Sequence, residues 1–396
     1  MAPGRFDVTQ LRLRNFRSIP ACAVKLGALT FLVGPNGAGK SNVLDSLRLT
    51  AQSLNENLDN ALRERGGVQE VRRRSTGHPR HFGISLDFQG PTCSGKYSFE
   101  VGAVGGGDFR VTKEDCSITP VAFGADPVSY RVRSGEVVHS SLGQLPRSTP
   151  DRLLLASASG LPAFREAFDG LAGMNVYNLN PEVMRPPQIP DPGELLRRDG
   201  GNIASVLTRL SRERPEVKAD IDAYLAAVVP GIVAVERSPL GAYETLSFRQ
   251  EVDGSDASWT FAATSMSDGT LRALGALAAL FAGAAPVRSP VGIEEPEAAL
   301  HPAASGTLLE ALQVASETRQ VLATSHSPDL LDSPTVGPES IVAVTSRRGE
   351  TAVSRPDAAA ASVLREGLFT AGELLRVDQL RPAEALQPDQ LKLFAS

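Results

Sequence analysis

A glycine-rich segment at residues 34–41, GPNGAGKS, has the residue types and spacing of a phosphate-binding loop. An apolar strand-like segment precedes it and a helix is predicted after it. Backbone N–H groups and a helix N-terminus attract phosphate at such a turn. Lys40 would bridge the β- and γ-phosphates of a nucleotide, and Ser41 would place its hydroxyl on Mg²⁺. A glycine-rich turn without a ligand is the alternative. The predicted binding residues are Gly34, Gly37, Ala38, Gly39, Lys40 and Ser41.

Two adjacent carboxylates, Glu294 and Glu295, follow the short apolar segment 291–293. Phosphoryl transfer to water needs one carboxylate that positions the metal and a second that orients or deprotonates the water. Adjacent residues at a strand end point to opposite sides, so the two can take different roles. We predict that Glu294 belongs to the Mg²⁺ shell and that Glu295 acts on the attacking water. For this segment alone, an exposed acidic turn is the alternative.

Two weaker signals accompany these motifs. A helix is predicted to begin near Ser267, whose hydroxyl is a natural cap. A hydroxyl and a flexible glycine, Gly269, at an exposed helix N-terminus could also receive a γ-phosphate. His326 follows the buried strand predicted at 320–324, where a neutral imidazole can hydrogen-bond the γ-phosphate or the attacking water. Helix capping and a purely structural histidine are the ordinary alternatives.

The elements that must position these residues follow from hydrophobic periodicity. Period-two alternation in the first third predicts an antiparallel meander, and helical spacing in the middle predicts a helical insertion. The final third returns to alternating strands and helices, with a hairpin and a helical tail. The predicted division is 1–149 for an N-terminal lobe with the phosphate loop, 150–235 for the helical insertion, and 236–396 for a C-terminal lobe.

Composition sets broad limits. The chain has 396 residues, of which 42% are hydrophobic and 21% charged, as in a globular protein that buries a core. Its net charge of −5 gives no global reason to expect nucleic-acid or membrane binding. Three widely spaced cysteines, Cys22, Cys93 and Cys116, favour a reducing compartment. No apolar run is long enough to cross a bilayer. We therefore predict a cytoplasmic protein without a membrane partner.

Taken together, these motifs resemble the SMC/RecF-like and OLD-type (overcoming-lysogenization-defect) branch of ABC ATPases, and in particular its stand-alone ATPases. The resemblance covers most of the chain and is weakest between about 90 and 200. It rests on LRNFRS at 13–18, the loop at 34–41, SDGT at 267–270, IEEPEAALHP at 293–302 and SHSPDLLD at 325–332. It implies an α/β P-loop NTPase fold of ABC-head type, with a mixed sheet bearing an antiparallel subdomain, a parallel core sheet and a helical insertion.

The resemblance also implies how the site is assembled. Two heads would sandwich two molecules of ATP with Mg²⁺, forming a homodimer in which Ser267 and Gly269 act on the partner's nucleotide. Arg17 would lie near the phosphates and Asn36 would order the loop. Residues 300–302 would couple the two sites.

The biological role implied is DNA repair or defence against mobile DNA, with a separate nuclease or effector partner. OLD nucleases carry a C-terminal nuclease domain, whereas only 70 residues (396 − 326) follow His326 here and contain no Asp-x-Asp. Intrinsic DNA cleavage is therefore not expected. The rivals are an ATP sensor that does not hydrolyse and, more weakly, the motor of a transporter.

Three departures from the family pattern bear on these expectations. Glu294 stands where many relatives have aspartate, and Asp268 adds a negative charge near phosphate. No glutamine of a metal-sensing loop can be assigned, and Gln69 and Gln89 are only candidates.

A basic segment at 61–81 raises the question of DNA as a partner. Its six arginines, Arg63, Arg65, Arg72, Arg73, Arg74 and Arg80, outnumber Glu64 and Glu70. Such a cluster suffices for contacts to a phosphate backbone. A solvated or nucleotide-facing arginine loop is the alternative.

Overall fold

The first third of the chain alternates strands with a few helices. The computed structural model describes residues 4–75, 77, 79–122, 124–147, 149, 151–251, 258–283, 287–383 and 386–394. The elements of this third are β1 (Gly4–Arg5), β2 (Asp7–Phe16), β3 (Ile19–Lys25), β4 (Leu29–Val33), α1 (Lys40–Asn55), α2 (Leu58–Arg63), α3 (Val68–Val71), β5 (His81–Gln89), β6 (Cys93–Ala103), β7 (Phe109–Pro120), β8 (Val128–Arg133) and β9 (Glu136–Ser140).

Seven of these strands form the predicted antiparallel sheet, in the order β3-β2-β5-β6-β7-β8-β9. The alternation along β2 explains this sheet, because Leu11 and Leu13 are buried while the alternating Arg12 and Arg14 pair with carboxylates on β5 and β6. The three cysteines are free and buried, as expected for a chain without disulfides.

The middle segment is mainly helical but contains one strand of the core sheet. Its elements are α4 (Leu154–Ala158), α5 (Pro162–Ala172), β10 (Asn175–Tyr177), α6 (Pro181–Met184), α7 (Ile203–Glu213) and α8 (Pro215–Val228). The structure places β10 at an edge of the parallel sheet, so 150–235 is not an all-helical insertion. Three residues are too few to produce a periodic signal. Residue 150 lies outside the described residues, and the division at 149 and 235 stays a prediction.

The final third builds a small sheet and completes the core sheet. Its elements are β11 (Ile232–Leu240), β12 (Tyr243–Gln250), β13 (Trp259–Ala262), α9 (Asp268–Phe281), β14 (Val287–Arg288), β15 (Val291–Glu294), α10 (Ser305–Thr318), β16 (Val321–Ser325), α11 (Pro328–Leu331), β17 (Ile341–Arg347), β18 (Glu350–Ser354), α12 (Ala358–Arg365) and α13 (Ala371–Arg376). The predicted hairpin is β17–β18. The antiparallel sheet β11-β12-β13 was not anticipated.

The core sheet separates two hydrophobic clusters. Its order is β10-β15-β16-β4-β17-β18, parallel except for β18. Along β4, Leu32 belongs to the cluster under the antiparallel sheet, whereas Phe31 and Val33 belong to the cluster around α9. Covering on both faces explains why the central strands read as continuous apolar runs. The two-lobed P-loop fold predicted from the sequence is confirmed. Among the described residues, every helix is too short or too polar to span a bilayer.

Candidate nucleotide-binding site

The glycine-rich loop joins β4 to α1, which begins at Lys40. Gly37 and Gly39 have φ values of +76° and +100°, in the left-handed region that favours glycine. A Cβ on Gly34 would lie 1.9 Å from the carbonyl oxygen of Val344. The backbone itself therefore requires these glycines, and it forms the tight turn that phosphate binding needs.

Thr351, on β18, lies far from this loop in the sequence but hydrogen-bonds to it. Its buried hydroxyl donates to the carbonyl oxygen of Ala38 at 2.9 Å. The Ser18 and Thr351 hydroxyls are 2.7 Å apart, and the Asn42 amide donates to Ser18 at 2.8 Å. A chain of hydrogen bonds thus fixes the loop, and no local pattern in the sequence could have revealed it. Asn36, predicted to order the loop, is exposed, and within the described residues its side chain makes no hydrogen bond.

Lys40 folds back on the loop that it belongs to. Its ammonium donates to the carbonyl oxygens of Gly34, at 2.8 Å, and Pro35, at 3.1 Å. Burial lowers the pKa of Lys40, while the charges of Glu295 and Glu297 act in the opposite direction. The side chain is therefore held beside the loop with neutral acceptors that the oxygens of a phosphate can replace.

The parallel sheet brings the predicted motifs to one edge. In the register of β15, β16 and β4, Glu294 lies opposite Thr324, and Ser325 lies opposite Val33. Because the carboxyl ends of parallel strands meet at the same edge, Glu294, His326 and Gly34 follow one another across three adjacent strands. Ligands of open α/β sheets bind at this edge.

The two adjacent carboxylates have different partners. Glu294 Oε1 accepts a hydrogen bond from Arg198 at 3.0 Å. Glu295 has a φ of +45°, and its Oε1 lies 3.1 Å from His326 Nδ1. Its N–H donates to the Thr324 carbonyl oxygen at 3.1 Å, which holds the strained backbone in place. Glu295 and His326 are both partly exposed, so this pair can reach a water molecule.

Glu297 is a third carboxylate in the site, and no role was predicted for it. It is buried, and Ser325 donates to its Oε1 at 2.6 Å. Its Oε2 is buried without a hydrogen-bond partner among the described residues. Burial raises the pKa of Glu297, against the effect of the hydrogen bond from Ser325. The only sequence signal was its place two residues after the acidic pair.

The segment around Ser267 has the predicted capping geometry and one additional contact. Ser267 Oγ accepts from the Thr270 N–H at 3.2 Å and so caps α9. A Cβ on Gly269 would lie 2.2 Å from the carbonyl oxygen of Ala299. Ala299 has a φ of +64° and lies in the turn that follows the acidic residues. The start of α9 therefore packs directly on the segment that leads to residues 300–302, where coupling between sites was predicted.

Arg17 belongs to a charged cluster around Asp45, which lies on α1 one helical turn after Ser41. Its guanidinium donates to Asp45 at 2.8 Å, and the buried Arg65 also pairs with Asp45, at 2.8 Å. Burial alone would raise the pKa of Asp45, but the charges and hydrogen bonds of Arg65 and Arg17 hold it below its usual value. Among the described residues, Arg17 is thus engaged by a carboxylate on α1 rather than projecting freely. The predicted contact with phosphates stays a prediction.

A polar residue at the end of β10 was missed by the sequence reasoning. Tyr177 lies opposite Ile293 in the register, so the exposed Asn178 follows beside Glu294 at the ligand edge. Its N–H donates to the carbonyl oxygen of Arg198 at 3.0 Å. An amide oxygen there suits a hydrated Mg²⁺ ion. Of the two glutamines named as candidates from the sequence, Gln69 accepts a hydrogen bond from Arg72, and Gln89 pairs within the antiparallel sheet.

The basic segment is largely neutralised. Five of its six arginines have partners, while Arg80 is exposed and has no side-chain partner among the described residues. This reduces the positive surface expected from the sequence. The pairs are Arg63 with Asp59, Arg65 with Asp45, Arg72 with Gln69 and the Pro79 carbonyl, Arg73 with Glu350, and Arg74 with Glu70.

The residues present fit a magnesium nucleotide. Among the described residues, no group of three or more His, Cys, Asp or Glu side chains could hold a metal alone. Mg²⁺ commonly takes one or two protein ligands together with phosphate oxygens and water. Ser41 and Glu294 would supply such ligands, and Lys40 would supply the counter-charge for phosphate. When bound, Mg²⁺ would neutralise phosphate charge.

The fold is that of an SMC-type ABC ATPase head. A crystallised SMC head bound to the C-terminal winged-helix domain of ScpA has a TM-score of 0.55 at 13% identity, with 90% of this chain and 99% of that chain covered. A Pyrococcus furiosus-derived structure of an SMC head with the C-terminal domain of ScpA gives 0.52 at 13%, with 92% and 99% covered. These likenesses show the fold.

Sequence comparison then gives the family. A family model described as "AAA domain, putative AbiEii toxin, Type IV TA system" matches residues 29–332, and the chain belongs to this family. The DNA replication and repair protein RecF of Vibrio cholerae is 44% identical over 43 residues, which is 11% of this chain and 12% of RecF. The match thus spans a small part of that relative.

Proposed function

We propose that this protein binds ATP with Mg²⁺, hydrolyses it, and uses the bound nucleotide to hold two copies of the chain together. One observation carries the hydrolytic part: the Glu295–His326 pair stands at the edge of the sheet where Lys40 and Glu294 also lie. In this proposal Lys40 and Ser41 bind phosphate and metal, and Glu294 positions the metal. Glu295 orients and deprotonates water, and His326 fixes the Glu295 carboxylate.

The dimer is inferred from the start of α9. Ser267 is exposed, and a helix N-terminus with a hydroxyl can receive the γ-phosphate of a nucleotide held by a second copy. The reciprocal arrangement is two-fold, since each copy offers both a phosphate loop and an α9 terminus. The contact of Gly269 with Ala299 would connect that terminus to the acidic residues of its own chain.

Phosphate release tests the proposed hydrolysis, and light scattering tests the proposed dimer. Glu295→Gln should keep ATP affinity but slow phosphate release about 10²–10⁴-fold, and it should accumulate as a dimer with Mg-ATP. Lys40→Ala should lose both ATP binding and dimerisation. Full turnover by Glu295→Gln would remove Glu295 from its role, and a monomer at saturating Mg-ATP would remove the clamp.

A non-hydrolysing ATP sensor is the second candidate, and the Arg198–Glu294 hydrogen bond is the observation that favours it. A guanidinium on this carboxylate would compete with a metal ion for the same oxygen. If that contact persists with ATP bound, the protein would bind nucleotide and turn it over very slowly. Single-turnover measurements with excess protein distinguish a slow enzyme from an inert sensor.

DNA repair or defence against mobile DNA, with a separate nuclease or effector, is the context that we propose, in the cytoplasm. The role in DNA replication and repair for which RecF is named, and the description of the family as a putative toxin of a toxin–antitoxin system, support this direction. The SMC heads in the two solved structures bind ScpA, which supports a protein partner for this head as well. DNA binding can be tested by a salt-sensitive gel shift with ATP present. Absence of a shift at low salt would exclude it.

A further inference from the structure

A cavity of about 550 Å³ lies at the amino ends of the core-sheet strands, opposite the end that carries the phosphate loop. It is bordered by residues that precede β15 and β16 and by the last turn of α9, at Phe281. Its size is that of a small-molecule site. The hydrolytic proposal uses none of the residues that line it.

Positive charge dominates this cavity. Four arginines and two carboxylates line it, a formal charge of +2 (4 − 2). Arg209 pairs with Glu194 at 3.4 Å, which leaves Arg214, Arg288 and Arg319 with one carboxylate, the exposed Asp220. Three guanidinium groups brought together with so little compensating charge favour an anionic ligand.

Helix capping explains only part of this arrangement. Arg214 donates to the Gly283 carbonyl oxygen at 2.9 Å, and Arg319 donates to the Ser289 carbonyl oxygen at 3.1 Å. The Nε of Arg319 is nevertheless buried with no partner in the described part of the chain. The pKa of Arg319 is lowered by burial, and the charges of Arg288 and Arg214 lower it further. Arg288 has no side-chain hydrogen bond or ion pair among the described residues.

We propose that this cavity binds a phosphate monoester that carries a small apolar or aromatic group. A phosphate dianion matches the charge of +2 and offers three acceptor oxygens to guanidinium forks, whereas one carboxylate would leave a positive charge unpaired. Tyr177 borders the same cavity and offers a phenolic hydroxyl. Val217, Leu280 and Phe281 form an apolar wall for the organic group.

Isothermal titration of the full chain with phenyl phosphate, inorganic phosphate and benzoate tests this site. The phosphate loop also binds phosphate, so the titrations use the Lys40→Ala protein and, separately, wild type saturated with Mg-ADP. Neither needs ATP hydrolysis, so the result is independent of the function proposed above. Phenyl phosphate should bind with one-to-one stoichiometry and more tightly than inorganic phosphate. Benzoate should bind weakly.

Arg288→Ala should weaken phenyl phosphate binding at least tenfold, and Arg288→Lys should weaken it less. Among the described residues Arg288 makes no side-chain hydrogen bond or ion pair, so its removal should leave the fold intact, as circular dichroism and thermal melting can verify. The matched control is Arg249→Ala, an exposed arginine on β12, which should bind as the parent does. No binding in either background, equal binding by Arg288→Ala, or tighter binding of benzoate would overturn the proposal.

Discussion

Substitution of Gly269 by alanine measures the contact between α9 and the turn after the acidic residues. An added Cβ would lie 2.2 Å from the Ala299 carbonyl oxygen, which is backbone and cannot rotate away. About 1 Å of displacement is needed to reach ordinary contact, and overpacking of this kind costs about 1–3 kcal/mol. The better helix propensity of alanine returns up to about 1 kcal/mol.

Gly306 provides a matched control. It is the second residue of α10, as Gly269 is of α9, and a Cβ there would meet nothing within 4 Å. Gly306→Ala should therefore gain up to about 1 kcal/mol. The propensity terms cancel between the variants, so their difference, about 1–3 kcal/mol, isolates the clash.

Thermal melting followed by circular dichroism reads out this difference. Unfolding entropy scales with length, so about 1 kcal/mol corresponds to roughly 1 °C in a chain of this size. Gly269→Ala should melt about 1–3 °C below Gly306→Ala and should lose ATP-dependent dimerisation, which Gly306→Ala should retain. Equal stabilisation of both variants would refute the assigned contact.

Three further substitutions test the surroundings of the phosphate loop. Thr351→Val removes the hydroxyl that donates to the Ala38 carbonyl oxygen while keeping the shape of the side chain, so ATP affinity should fall about two- to tenfold. Unchanged ATP affinity by titration would show that other contacts hold the loop in place. Asp45→Asn leaves Arg65 buried without its charge partner and should cost about 3 kcal/mol near neutral pH. The pKa of Asp45 is lowered in the fold, so this stabilisation is present above its ordinary value of 3.8 and is lost as pH falls through the folded pKa. The denaturation midpoints of the wild-type and Asp45→Asn proteins should therefore converge in acid. A difference that stays constant with pH would contradict this. Arg198→Ala removes the hydrogen bond to Glu294 and should strengthen Mg²⁺-dependent ATP binding. Because Arg198 is partly exposed, the gain should be only about two- to fivefold. Weaker ATP binding by this variant would show instead that Arg198 contacts the nucleotide.

Periodic and short-range patterns predicted much of this structure. The alternation along β2 predicted the antiparallel sheet, and the apolar run of β4 predicted the buried core sheet. The motif GPNGAGKS predicted the phosphate loop. These features depend on residues close together in the chain, where sequence patterns carry most information. Different roles for Glu294 and Glu295 were predicted from strand alternation, but Glu295 lies just beyond β15 with a φ of +45°, so alternation along a strand does not account for their different partners.

Contacts between distant segments were not predictable in the same way. The hydroxyl of Thr351 reaches Ala38 across more than 300 positions, and no local pattern marks either residue. Strand β10 has three residues, too few for a periodic signal, so Asn178 beside Glu294 was missed. Arg65 and Arg73 suggested a free basic surface because their partners, Asp45 and Glu350, lie outside the segment in which charges were counted.

The order of strands in the core sheet has a consequence for synthesis on the ribosome. Strand β4 is flanked by β16, which emerges about 290 residues later, and by β17, which emerges about 310 residues later. At the usual elongation rate of about 5–20 residues per second, the nascent chain carries this apolar strand unpaired for roughly 15–60 s. The antiparallel sheet, made of sequential neighbours, can form during that interval. The phosphate loop is thus translated early, but its strand β4 gains neighbours only late in synthesis. Nascent chains that stall before residue 321 should require chaperone protection.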